Sequence, residues 1–142
     1  MTEMNVIVDG VPVPEYAKPG DAGLDLRTTS DAAIAPFETA MLGTGLRIEL
    51  PEGCYGAVVP RSGIASKRGL APVNSPGTID EGYRGEIMVP LHNYGSSMQH
   101  VKAGERIAQL IVCPYVKVEC VPVGELSETD RGDGGFGSSG SH

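Results

Sequence analysis

Short runs rich in valine, isoleucine and leucine recur along the chain, each closed by glycine, proline, asparagine or aspartate, and this punctuation limits what it can fold into. The runs cover residues 5–8, 23–28, 45–50, 55–59, 86–91, 106–113 and 116–121. With 20 glycines and 11 prolines supplying turns between them, an all-β sandwich or barrel is the predicted architecture. One short helix fits, over residues 63–68, with Ser62 as N-cap and Gly69 as C-terminal stop. Pro90 interrupts the run 85–93 where a central strand needs a backbone donor, which predicts an edge or bulged strand there.

A length of 142 residues suits a single domain with a real core. From Gly124 the apolar residues thin out into GELSETDRGDGGFGSSGSH, too few to offset the entropy of ordering. Residues 1–123 therefore read as the folded domain and 124–142 as a flexible glycine-rich arm. A formal net charge of −7 disfavours stable nucleic-acid binding, so a phosphate ligand would depend on arginines gathered locally. No run reaches the length of a membrane span, and the N-terminal segment has neither the basic nor the apolar region of a signal peptide. The expectation is a cytoplasmic protein with no membrane contact. Cys54, Cys113 and Cys120 show no metal-type spacing with His92, His100 or His142 and are expected to be reduced, mostly buried thiols.

Several motifs compete for attention. The G-x-G-x-x-G match at 135–140 follows no strand and sits at the chain's end, so it cannot open a dinucleotide-binding unit. Arg131-Gly132-Asp133 spells a cell-adhesion tripeptide, but no secretion signal accompanies it. Pro60-Arg61-Ser62-Gly63 leads into the short helix, so one anion could meet the Arg61 guanidinium, the Ser62 hydroxyl and helix amides; serine caps and surface arginines are equally common without any ligand. Asp80 and Glu81 occupy a hairpin-like turn, where acidic residues are ordinarily structural. Asp25 lies between Leu24 and Leu26, and a carboxylate directed inward there needs a partner or an ion.

Taken together, these segments resemble the five motifs of the trimeric dUTP pyrophosphatases (dUTPases) in order and spacing. They are residues 22–26, 60–65 and 77–93, the stretch Gly104-Glu105-Arg106-Ile107-Ala108-Gln109-Leu110, and residues 131–140. The resemblance spans nearly the whole chain. It implies an all-β jelly-roll β-barrel, the β-clip of that family, with one short helix and a C-terminal arm. It also implies a homotrimer with shared active sites, in which one subunit's arm closes over a neighbour's pocket.

The activity implied is hydrolysis of dUTP to dUMP and pyrophosphate with Mg2+ as cofactor, limiting uracil incorporation into DNA and supplying dUMP for thymidylate synthesis. On this resemblance Asp80 orients and deprotonates the water that attacks the α-phosphorus, with Glu81 as the neighbouring competitor that the residues alone do not exclude. Asp25 would hold metal-bound waters in an outer-sphere role; Arg61, Ser62 and Gly63 would position the phosphates, and Gln109 would bond the water or a phosphate oxygen. Uracil selection falls to the hairpin 74–83, through Asn74 and the main chain of Gly77, Thr78 and Ile79. Tyr83 would pack beneath the sugar and exclude a ribose hydroxyl, although strand packing alone also accounts for it. In the arm Arg131 would reach the terminal phosphate, Phe136 would stack on uracil, and Gly137 and Ser138 would add phosphate contacts.

Two other readings share parts of this pattern. A dCTP deaminase-like enzyme of the same fold carries a further serine in its second motif, where this chain has Gly63. A nucleotide-binding regulatory trimer without turnover would have no need of Asp80 or Arg131.

Overall fold

The computed structural model describes residues 2–137. Among them the order is β1 (Asn5–Val8), β2 (Leu24–Arg27), β3 (Ala32–Ile34), β4 (Thr39–Gly43), β5 (Leu46–Glu49), β6 (Cys54–Val59) and α1 (Ser62–Arg68). After the helix come β7 (Leu70–Pro72), β8 (Gly77–Ile79), β9 (Met88–Asn93), β10 (Gln99–Val101) and β11 (Arg106–Pro114). Every strand pairing is antiparallel. A four-stranded sheet runs β2-β11-β6-β8 and a three-stranded sheet β4-β9-β7, with the two-stranded ribbons β1-β5 and β10-β3 beside them. This is the expected all-β jelly-roll with one short helix, built from separate sheets around a common core rather than one continuously bonded barrel.

Alternation explains how each strand faces that core. In β5 Leu46 and Ile48 are buried while Arg47 and Glu49 are exposed, and in β9 Val89, Leu91 and Asn93 are buried between less buried neighbours. Leu26, Leu70, Ile87, Val89, Leu91 and Ile107 are fully buried in a single cluster with Leu110, Val58 and Ile64. Truncating one such leucine to alanine typically costs about 2–5 kcal/mol. The buried polar groups are satisfied: Asn93 donates to the carbonyls of Ile34 and Ser97, both at 2.8 Å, and Thr44 donates to Ile87 O at 2.6 Å.

Several expectations change. Residues 116–121, read as a strand, form no ladder, and Val116, Val118 and Val121 stand exposed. Alternation supplies the propensity, but no strand among the described residues pairs with it. The helix starts one residue early: Ala65 N donates to Arg61 O at 3.0 Å, so the extended Arg61 is the N-cap and Ser62 is already helical, with no side-chain cap. Gly69 is the left-handed stop, as expected.

Pro90 does not mark an edge, because β9 is the middle strand of its sheet. A strand residue's N–H and C=O point to the same side, and Pro90 O accepts from Val73 N at 2.9 Å. The missing donor therefore falls just past the end of β7, where no ladder bond is lost. Nor is 74–83 a paired hairpin: β7 bonds to β9 and β8 bonds to β6, so the segment crosses between sheets. The three cysteines are free as expected, but Cys54 and Cys113 are half-buried and Cys120 is exposed.

Candidate active site

The four-stranded sheet places the expected residues at its two edges. Val59 on β6, Gln109 on β11 and Asp25 on β2 are aligned across three strands, so their side chains share the face opposite to that of Leu24, Leu110 and Val58. Asp25 Oδ1 accepts from Arg61 Nε at 3.0 Å, and Oδ2 lies 3.5 Å from Arg106 Nη1, with only 13% of the Asp25 side chain exposed. The carboxylate is not directed to the leucine face, the case that would have required a partner, yet it finds two. Gln109 donates to Pro60 O at 2.9 Å, fixing the backbone just before Arg61. Gly23 makes room for that amide, since a Cβ at Gly23 would collide with Gln109 Oε1.

Arg61 engages Asp25 through Nε, and its Nη groups have no partner among the described residues. Arg61 lines an open cleft of about 690 Å3 whose walls also carry Arg27, Lys67, Arg68 and Arg106 against the single acid Glu105. Ser62 and Gly63 are exposed at the start of α1 beside it. The helix is tied down at its other end, where Arg68 bonds Gln99 Oε1 at 3.1 Å, Glu105 Oε2 at 2.9 Å and the His100 carbonyl. In a chain of net charge −7, this is a local concentration of cations suited to a polyanion. Arg106 was missed by sequence reasoning except as part of a motif. A register irregularity between Arg106 and Ala108 accompanies its approach to Asp25, and no spacing announces it.

The second group lies elsewhere. Gly77, buried on β8, pairs with Val58 and is covered by Asn74, whose Nδ2 would sit 3.0 Å from a Cβ at that position. Thr78 is exposed and Ile79 packs on the core. Asp80 follows in a turn closed by Tyr83 N donating to its carbonyl at 3.0 Å. Its side chain is exposed and makes no hydrogen bond or ion pair among the described residues. Glu81 differs: Oε1 accepts from Gly53 N at 2.7 Å and from the Tyr115 hydroxyl at 3.0 Å. The Gly53 amide first and the phenol second hold its carboxyl below the ordinary value of 4.5. The same bond to Glu81 pushes the Tyr115 phenol above its ordinary 10.0. Tyr83 is partly exposed, with its hydroxyl donating to Glu86 O at 2.8 Å and its ring over Gly85.

Within one chain these groups do not meet. Ile79 pairs with Gly56, so Asp80 lies beyond the end of the β6-β8 ladder farthest from Val59, and β6 and β11 separate β8 from β2. Strand spacing and rise put Asp25 and Asp80 on the order of 20 Å apart. Arg131, Phe136 and Gly137 form a third group, with Arg131 Nε bonded to Gly134 O at 2.7 Å and Phe136 fully exposed. Ser138 lies outside the described residues.

Comparison with known proteins places this chain among nucleotide hydrolases. A family model described as dUTPase matches residues 9–140. The deoxyuridine 5'-triphosphate nucleotidohydrolase of Nocardia farcinica is 52% identical over 134 residues, covering 94% of this chain and 81% of the relative. The protein of the same name from Cutibacterium acnes is 52% identical over 141 residues, covering 96% and 93%. Among solved structures, the Staphylococcus bacteriophage 80alpha dUTPase with dUPNHPP matches with a TM-score of 0.90 at 29% identity over 99% of both chains. The chain belongs to the dUTPase family.

Proposed function

We propose that the protein hydrolyses dUTP to dUMP and pyrophosphate, and so limits uracil incorporation into DNA while supplying dUMP for thymidylate synthesis. The observation that carries this reading is the Arg61 arrangement in a chain of this family. Asp25 holds Nε and leaves the Nη groups unbonded, in a residue that lines a cationic cleft where a triphosphate can lie. Ser62, Gly63 and Gln109 flank that position and would complete the phosphate contacts.

Asp80 is the general base on this reading. The water oxygen bonds to the α-phosphorus, the bond from that phosphorus to the bridging oxygen breaks, pyrophosphate leaves, and the water proton passes to Asp80. Glu81 is poorly suited to this role, because its Oε1 already accepts two hydrogen bonds. Asn74, Gly77, Thr78 and Ile79 would meet the uracil edge, with Tyr83 beneath the sugar. Since Asp80 and Asp25 stand so far apart in one chain, a complete site needs a second copy to bring its Asp80 turn to the first copy's arginine cleft. A homotrimer, with a third chain contributing Arg131, Phe136, Gly137 and Ser138, satisfies that need.

Mg2+ is the proposed cofactor, and it would neutralise phosphate charge and fix the triphosphate conformation. Among the described residues no group of three His, Cys, Asp or Glu gathers to hold a metal. Asp25 is the carboxylate beside the arginines, which fits an ion carried chiefly by phosphate oxygens and touched by Asp25 only through water. Among the described residues no helix is long and apolar enough to cross a membrane. The free thiols suit a reducing compartment, and the cytoplasm is the proposed location.

The test is a nucleotide panel with and without Mg2+. We expect Mg2+-dependent pyrophosphate release from dUTP in step with dUMP, and neither pyrophosphate nor ammonia from dCTP. Ammonia from dCTP would favour the deaminase-like alternative, and dUTP left intact would favour a binding module.

A further inference from the structure

Glu81 adjoins the proposed base, yet its carboxylate is engaged inside the chain. It joins three segments that are remote in sequence. Gly53 N, in the turn before β6, and the Tyr115 hydroxyl, just after β11, both donate to Glu81 Oε1, and Tyr115 N donates to Gly53 O at 3.0 Å. These contacts close a ring. The Tyr115 side chain is held in turn by Tyr55, edge-on with ring centroids 6.4 Å apart. The backbone of the acidic turn is fixed as well, by Tyr83 N to Asp80 O and by Arg84 Nη1 to Glu81 O at 2.9 Å.

We infer that Glu81 and Tyr115 are positioning residues for the known reaction: they clamp the turn that aims Asp80 at the water. A carboxylate that accepts a backbone amide and a phenol makes two charge-assisted bonds and loses its rotamer freedom. The residue just before it can then project freely while its backbone stays put. Tyr115 is the first residue after β11, so the clamp also ties the proposed base to the end of that strand. The inference rests on the reading of Asp80 given above.

Tyr115→Phe in the full-length protein removes one bond and keeps the ring. Misplacing a reacting group is costly to rate rather than to affinity, and we expect kcat for dUTP to fall about tenfold with KM within about twofold of wild type. The pH profile adds a readout that packing alone would not move. Glu81 is held low by the Gly53 amide first, then Tyr115, then the charges of Lys117 and Arg84, while Asp80 is the other carboxylate near the phenol. Losing the phenol lets Glu81 protonate at higher pH, so the acid-side fall of kcat should begin at higher pH in the variant. In an Asp80→Asn background the Tyr115→Phe change should cost nothing further. An unchanged kcat and acid limb, or a full tenfold loss persisting without Asp80, would overturn the clamp. Near-normal turnover in Asp80→Asn alone would instead overturn the reading of Asp80. Glu81→Gln covers the case in which Tyr115→Phe does not assemble: a fall in kcat at constant KM that disappears in an Asp80→Asn background supports the clamp, and an unchanged kcat or a loss that persists without Asp80 overturns it.

Discussion

The two edges of the four-stranded sheet each carry an aspartate, and the two are treated in opposite ways. Asp25 is nearly buried, aligned with Gln109 and gripped by two guanidinium groups, whereas Asp80 is exposed in a turn with no bonded partner among the described residues. A carboxylate held by two cations is fixed in orientation and orients what it touches; one whose side chain is unengaged, beside a fixed backbone, leaves its oxygens open to a water. On the proposed reading the chain separates the handling of phosphate charge from the handling of the proton, and the two bonds to Glu81 Oε1 keep that neighbouring acid out of the second role.

The comparison is broken most directly at Asp80. Asp80→Asn should lower kcat by about 10²–10⁴-fold while dUTP binding changes little if, as proposed, the group acts on water and not on the nucleotide. Turnover and equilibrium binding of a non-hydrolysable analogue measure the two quantities, and parallel losses in both would erase the distinction between the edges. Asp25→Asn should act the other way: about tenfold weaker nucleotide binding as Arg61 loses its orientation, with a loss of roughly 1.5–3 kcal/mol in stability from a charged hydrogen bond. Wild-type affinity in that variant would show that Arg61 needs no such guide.

The smallest effect belongs to Glu81 and to acid stability. Its folded-state carboxyl is held below 4.5, so its stabilising contribution is present above that value and is lost as pH falls through the lower folded-state value. Denaturation midpoints of wild type should therefore decline on acidification more steeply than those of Glu81→Gln. Parallel curves would remove Glu81 from the account.

Much of this was legible in the sequence, for reasons that differ by element. The alternation of β5 and the long apolar run of β11 announce themselves, and Asp25 between two leucines stood out as a residue to follow. The three-residue strands β3, β7, β8 and β10 are too short to show a period, and only tertiary pairing creates them. Residues 116–121 carry the pattern without a neighbour. The choice between Asp80 and Glu81 was open because the groups that occupy Glu81 come from Gly53 and Tyr115, 28 and 34 positions away. No local reading reaches that far.

The placement of Asp25 and Asp80 at opposite edges has a further consequence on the proposed assembly. Each chain carries one part of a site facing one way and the complementary part facing another, and alone it completes neither. Dilution below the association threshold would then silence hydrolysis without melting a strand, and specific activity would report how many subunits have found each other.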